Sequence, residues 1–231
     1  MEQSGTSALL QGAVQDLSSD VASVLRDGGH VRLSDGALDG PEAGHAVTVA
    51  AVRVLGADLL LPHVLTRTAP LPDTLDAFRR TVETFPPRSD AAPTVVWSHW
   101  AMGRTLHRFD GSGAATAEPD ADWLGTATWQ LLTHQLAVLA PLAVPGEDNA
   151  VARAARGRPV DVARGFVRAV RRRDWLQAAG AGRWLTLLDD VPQTLGLESG
   201  LDFVELMGGG DPRVALQLEA ARAMRWAGAP V

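Results

Sequence analysis

The chain has 231 residues, a net charge of −6 and an apolar fraction of 46%, ordinary for a globular protein with a substantial core. It holds no lysine, isoleucine, tyrosine or cysteine, and Asn149 is its single asparagine. These absences exclude a lysine Schiff base, a cysteine nucleophile, a thiolate metal site, a disulfide framework and a tyrosine acid, and the acidic balance argues against general nucleic-acid binding.

Lys, Ile, Tyr and Asn share AT-rich codons, and Ala, Gly, Arg, Val and Leu are abundant. The composition therefore points to a GC-rich bacterial genome. The first residues, MEQSGTSALLQGAVQDLSS, have neither a basic start nor a long apolar run, so no secretory signal is expected. The apolar stretches Ala57–Leu61 and Leu136–Val144 are short and contain Asp58 or Pro141, so no membrane span is expected and a cytoplasmic setting is.

Apolar spacing is helical almost throughout. Residues 6–27 read as a helix ended by Gly28-Gly29. A polar connection covers 30–40, and Pro41 opens a helix to about Leu61 that Pro62 bends or ends. Pro72-Asp73 starts the next helix, which stops before Pro86-Pro87. Another covers 89–109. The stretch 110–122 (DGSGAATAEPDAD) reads as a loop, and Asp120 or Asp122 caps a long helix through about Ala140. Further helices are expected at 148–157, 159–179, 183–190, 200–207 and 211–227, the last opened by Asp211-Pro212. Val47–Val54 sits in an Ala-rich helical frame and reads as helix. The expected fold is all-α, one bundle-like domain of about eight helices over 1–231, with 110–122 as the one attractive subdivision.

Three features could carry chemistry. The first is Val95–Phe109, VVWSHWAMGRTLHRF. On a helix Trp97, Trp100, Arg104 and His107 share one stripe, with His99 beside it. An arginine four residues after a tryptophan can lie on the indole face. The stripe reads as a pocket wall offering an aromatic face, a cation and an imidazole, or as a core helix packed through its tryptophans. The second is His134, in an otherwise apolar helix with Trp129. There it is a candidate buried base for proton transfer, with Gln130 one turn earlier as its partner, or a satisfied core histidine.

The third is charge. Between Asn149 and Leu185 nine arginines face only Asp161 and Asp174. Arg164, Arg168, Arg171 and Arg172 lie along one side of the expected 159–179 helix, opposite Ala163, Phe166, Val167 and Val170. Arginine forks suit carboxylates and phosphates. The face reads as an anion site, or as a solvated face paired with the acidic N-terminal half.

No Walker loop, Gly-x-Gly-x-x-Gly, Gly-x-Ser-x-Gly or two-histidine zinc motif is present. His99 and His107 stand about 12 Å apart along a helix, too far to share one ion. No cofactor and no metal site is implied by motif. Asp189-Asp190 resembles the aspartate-rich motif of the isoprenoid synthases over two residues. Gln193 stands at the usual third acidic position, and a helix end before Pro192 explains the pair.

The leading expectation is a small-molecule-binding enzyme, a tailoring or cyclising enzyme of bacterial secondary metabolism. His99, His107 or His134 would move protons; Trp97, Trp100, Arg104, Trp129, Arg164 and Arg168 would bind an anionic small molecule. The alternative is a non-catalytic adaptor or regulatory protein that binds an acidic protein partner through the 159–179 arginines. A haem or metal protein is the third option.

Overall fold

The computed structural model describes residues 2–33, 42–111 and 117–228, with side chains described for 5–33, 44–111 and 117–225. It is 75% helix, with no strand among the described residues, as the periodicity predicts. Parts of the expected connections at 30–40 and 110–122 lie outside the described residues.

The first half holds α1 (Glu2–Asp27), α2 (Glu42–Leu55), α3 (Leu61–Thr66), α4 (Pro72–Thr84) and α5 (Pro93–Asp110). The second holds α6 (Asp122–Thr126), α7 (Trp129–Val138), α8 (Ala150–Arg156), α9 (Pro159–Arg171), α10 (Trp175–Leu185), α11 (Leu197–Gly208) and α12 (Pro212–Gly228). Short 3-10 turns cover Gly56–Leu60, Ala140–Leu142 and Gln193–Leu195.

Two apolar clusters make most of the core. One is built from α1, α2, α4 and α5, with Val21, Val52, Phe78 and Met102 inside and Leu216 of α12 completing it. The other joins Trp97 and Trp100 of α5 to Leu132, Leu136, Phe166 and Trp184 of the second half. Helix α12 packs against both α1 and α10. Helix α10 is central, touching α7, α9, α11 and α12. Its run Ala178-Ala179-Gly180-Ala181-Gly182 explains why: small side chains let neighbours approach on every side. A β-carbon at Gly180 would lie 2.9 Å from the Ala137 carbonyl oxygen of α7.

Three expected helices are broken, each for a local reason. The helix from Pro41 stops at Leu55, because Gly56 turns to φ +60° and a 3-10 turn follows. Pro62 then sits in the first turn of α3, where its missing N–H costs nothing. The helix expected through Ala140 divides at Thr128, whose hydroxyl accepts from Leu131 N at 3.4 Å and caps α7. The helix expected at 159–179 divides at Arg173 (φ 59°), and the one expected at 183–190 does not form as such. Asp174 restarts the chain as the N-cap of α10, accepting from Gln177 N at 3.2 Å. The spacing Asp174-x-x-Gln177 is a capping-box pattern that announces this start.

The run Gly44–Thr66, from α2 through the 3-10 turn to α3, spans 23 residues with an apolar window of mean hydropathy 1.5, so by length and composition alone one segment among the described residues could cross a bilayer. In this fold 67% of its apolar window is buried against the rest of the protein.

Candidate anion-binding groove

The expected binding residues separate into two groups. The tryptophans of the α5 stripe are packed away, while Arg104 stays exposed. Trp97 has no exposed surface, and its indole N–H donates to the Asp120 carbonyl at 2.9 Å. Trp100 meets it edge-on, with ring centroids 5.1 Å apart. Arg104 lies 5.9 Å from the Trp100 ring centre, the predicted cation–π contact, and its charge is matched by Glu147 at 3.6 Å. Glu147 also pairs with Arg108. The crevice beside this stripe offers only 30 Å³, room for about one water and far below the ~300 Å³ where ligand pockets begin.

His99 and His107 are half-buried on α5, each with Nδ1 buried and without a hydrogen-bond partner among the described residues. Burial, helped by the Arg53 cation, holds His99 below the ordinary imidazole value. Neither histidine lines the clefts described below.

The second group comes together. Trp129, Arg164 and Arg168 line one open cleft of 700 Å³ on the outer face of α9. Arg171 and Arg172 extend its cationic side; Val160, Val167 and Leu195 supply apolar surface. Among the described residues no carboxylate lines it. Val167, expected opposite the arginines, instead lies exposed on the groove face.

His134 is exposed, not buried as its apolar neighbours suggest. Its Nδ1 lies 3.4 Å from Gln177 Oε1 of α10, so Gln177 takes the role expected of Gln130. It opens onto a 210 Å³ cleft that shares Trp129, Arg168 and Arg172 with the larger groove. The two clefts thus form one constellation divided by the Trp129–Arg168 contact, where the guanidinium carbon stands 5.6 Å from the indole centre.

Helix packing sets this geometry. Trp129 is the first residue of α7, fixed by the Thr128 cap. Gly165 lets α9 lie directly on α7: a β-carbon there would come within 2.0 Å of Thr133 Oγ1. That hydroxyl donates to Trp129 O at 2.8 Å and Asp161 O at 3.3 Å, binding the two helices at the crossing.

The arginine-rich segment resolves into two populations. Arg153 and Arg156 pair with Asp148, and Arg153 also with Glu118. Arg158 grips Asp161 with two nitrogens, at 2.8 and 2.6 Å, and Arg164 reaches the other oxygen at 3.4 Å. Arg183 is wholly buried on Asp58 at 2.7 Å and, among the described residues, is the one member of the segment paired with the acidic N-terminal half. Arg168, Arg171, Arg172 and Arg173 have no ion-pair partner among the described residues.

Among the described residues no group of three or more His, Asp or Glu side chains could hold a metal ion. Comparison with protein-family models, with curated proteins and with solved structures finds no match.

Proposed function

We propose that the chain is a small-molecule-binding protein whose ligand is an amphipathic anion held in the α9 groove. The observation that carries this reading is the set Arg168, Arg171 and Arg172, without ion-pair partners among the described residues, around a 700 Å³ cleft with an aliphatic edge and the face of Trp129. That volume falls within the range of about 300–1,000 Å³ typical of small-molecule sites. In the enzymatic form of the reading, His134 is the acid/base group, because it alone among the expected histidines adjoins the groove. A tailoring or cyclising reaction on an acidic metabolite would use these parts. The bacterial setting of that reaction is supported by composition alone.

The test is titration of the protein with medium-chain carboxylates and phosphate esters, followed by tryptophan emission and calorimetry. Arg168→Glu with Arg172→Glu should abolish binding while circular dichroism stays unchanged. Equal affinity of the wild type and this variant would sink the proposal.

The same face supports a second reading, docking of an acidic protein segment. Val160 and Val167 are 46% and 42% exposed along it, as a helix-in-groove contact needs. Capture of an acidic protein partner that saturating small anions do not displace would favour this reading over the first.

A further inference from the structure

We infer that the anion in this groove is a phosphate or diphosphate ester on an apolar body, not a monocarboxylate; the inference rests on the groove reading above.

The first argument is charge. Arg164 shares Asp161 with Arg158, so that acid is already engaged twice over, and Asp174, on the wall of the adjoining cleft, caps α10 through Gln177 N and makes no ion pair among the described residues. Arg168, Arg171 and Arg172 have no such partner among the described residues. A monocarboxylate would neutralise one of three cations and leave two facing each other across the bound ligand. A phosphate monoester carries close to two negative charges near neutral pH, and a diphosphate more, which matches the three guanidiniums.

The second argument is shape. Arg168 and Arg172 stand one helical turn apart, so their β-carbons lie about 5–6 Å from each other. One guanidinium fork already satisfies both oxygens of a carboxylate. Two or three forks lining one cleft offer more donors than a carboxylate can accept, and a phosphoryl group presents more acceptor oxygens at tetrahedral directions. The Arg168 guanidinium carbon stands 5.6 Å from the Trp129 ring centre, a cation–π contact that uses the ring face and does not consume N–H donors.

The third argument is the division of the face. At about 100° per residue, Val160, Ala163 and Val167 fall on one edge of α9 and Arg168 and Arg172 on the other, with Arg164 and Arg171 between them. Leu195 adds to the apolar surface. A ligand laid across this face places its tail on the valines and its phosphoryl group beside Trp129, at the mouth of the His134 cleft.

The test compares n-octyl phosphate with n-octanoate by calorimetry on the full chain, with inorganic pyrophosphate as competitor. A second arm measures cosedimentation with vesicles of phosphatidylcholine containing phosphatidic acid, which separates a free phosphate ester from a lipid headgroup. The expected result is octyl phosphate bound about tenfold or more tighter than octanoate, as extra charge-assisted bonds require. Pyrophosphate should compete, and Arg171→Gln with Arg172→Gln should erase the preference while octanoate binding persists. Equal affinity for the two octyl ligands would overturn the phosphate inference and leave the amphipathic-anion reading standing. Binding of neither ligand would overturn both, and binding to vesicles alone would show that the face meets a membrane surface instead.

Discussion

Arg183 has no exposed surface, yet each of its three guanidinium nitrogens has a hydrogen-bond partner. Its Nη1 donates to Asp58 Oδ1 at 2.7 Å and Gln217 Oε1 at 2.9 Å; Nε and Nη2 donate to the Ala143 carbonyl at 3.3 and 3.2 Å. Gln217 Nε2 closes the ring on Asp58 Oδ2 at 2.7 Å. A buried network of this kind is costly to break from one side, because the surviving charge stays buried. Arg183→Met should therefore destabilise the fold by about 3–5 kcal/mol, read as a fall in the chemical-denaturation midpoint. Arg183→Met combined with Asp58→Leu should recover much of that loss, since no bare charge remains. If the double variant is as unstable as the sum of the singles, the pair is not acting as a unit. The sequence displays Asp58 only as an interruption in an apolar run and Arg183 only as one arginine among nine. Their meeting joins positions 125 residues apart, so no local pattern could signal it.

At the scale of the element, the groove depends on how closely α9 and α7 approach. Gly165→Val would force side-chain atoms into Thr133, whose methyl and hydroxyl already lie within 2.2 Å of the position of a β-carbon. Overpacking of this kind costs about 1–3 kcal/mol. It should also spread the helices, so ligand affinity should fall along with the melting temperature. A variant that loses stability but keeps full affinity would separate the crossing from the site. Asp174 makes the complementary point: its cap ends the run of α9 and turns the chain into α10, leaving Arg171, Arg172 and Arg173 at an exposed corner.

Helix identity was legible in the sequence where proline or Asx residues marked a start, as at Pro72, Pro159 and Asp211-Pro212. Helix length was not, because amphipathic spacing runs on through a cap, and Thr128 and Asp174 sit inside otherwise helical patterns. The site was half legible. The arginine face of α9 is a local pattern and can be read from spacing. Trp129 and His134 reach it only through the Gly165 crossing, and the pairing of Arg104 with Glu147 joins residues that no periodicity connects.

At the scale of the whole molecule, acid should weaken the fold in two stages. His63 is fully buried with Nε2 unpartnered among the described residues, and burial together with the neighbouring His30 holds its value below that of a free imidazole; His99 is lowered by burial and then by Arg53. A histidine lowered in the folded state resists protonation there but accepts it when unfolded. Its contribution to stability is therefore complete above about pH 6.5 and is lost as pH falls below that, levelling off once the folded value is passed. Glu205 and Asp211 are lowered instead by their Arg222 and Arg213 partners, so their stabilisation is lost at lower pH, as each carboxylate protonates. Denaturation midpoints measured across pH 3–8, about the span of these ordinary values, should show both phases. His63→Gln should flatten the upper phase and leave the lower one. An unchanged upper phase in that variant would remove His63 from the account.

The ring of Asp58, Arg183 and Gln217 also constrains how this sequence can change over time. A single substitution at Asp58 or Arg183 strands a charge in the interior, while joint replacement by apolar residues does not. Drift at these two positions is therefore closed to single steps. Chains that share ancestry with this one should carry both ionic residues or neither, and a chain with only one of them would have had to reroute the path by which α12 seals the two halves of the molecule together.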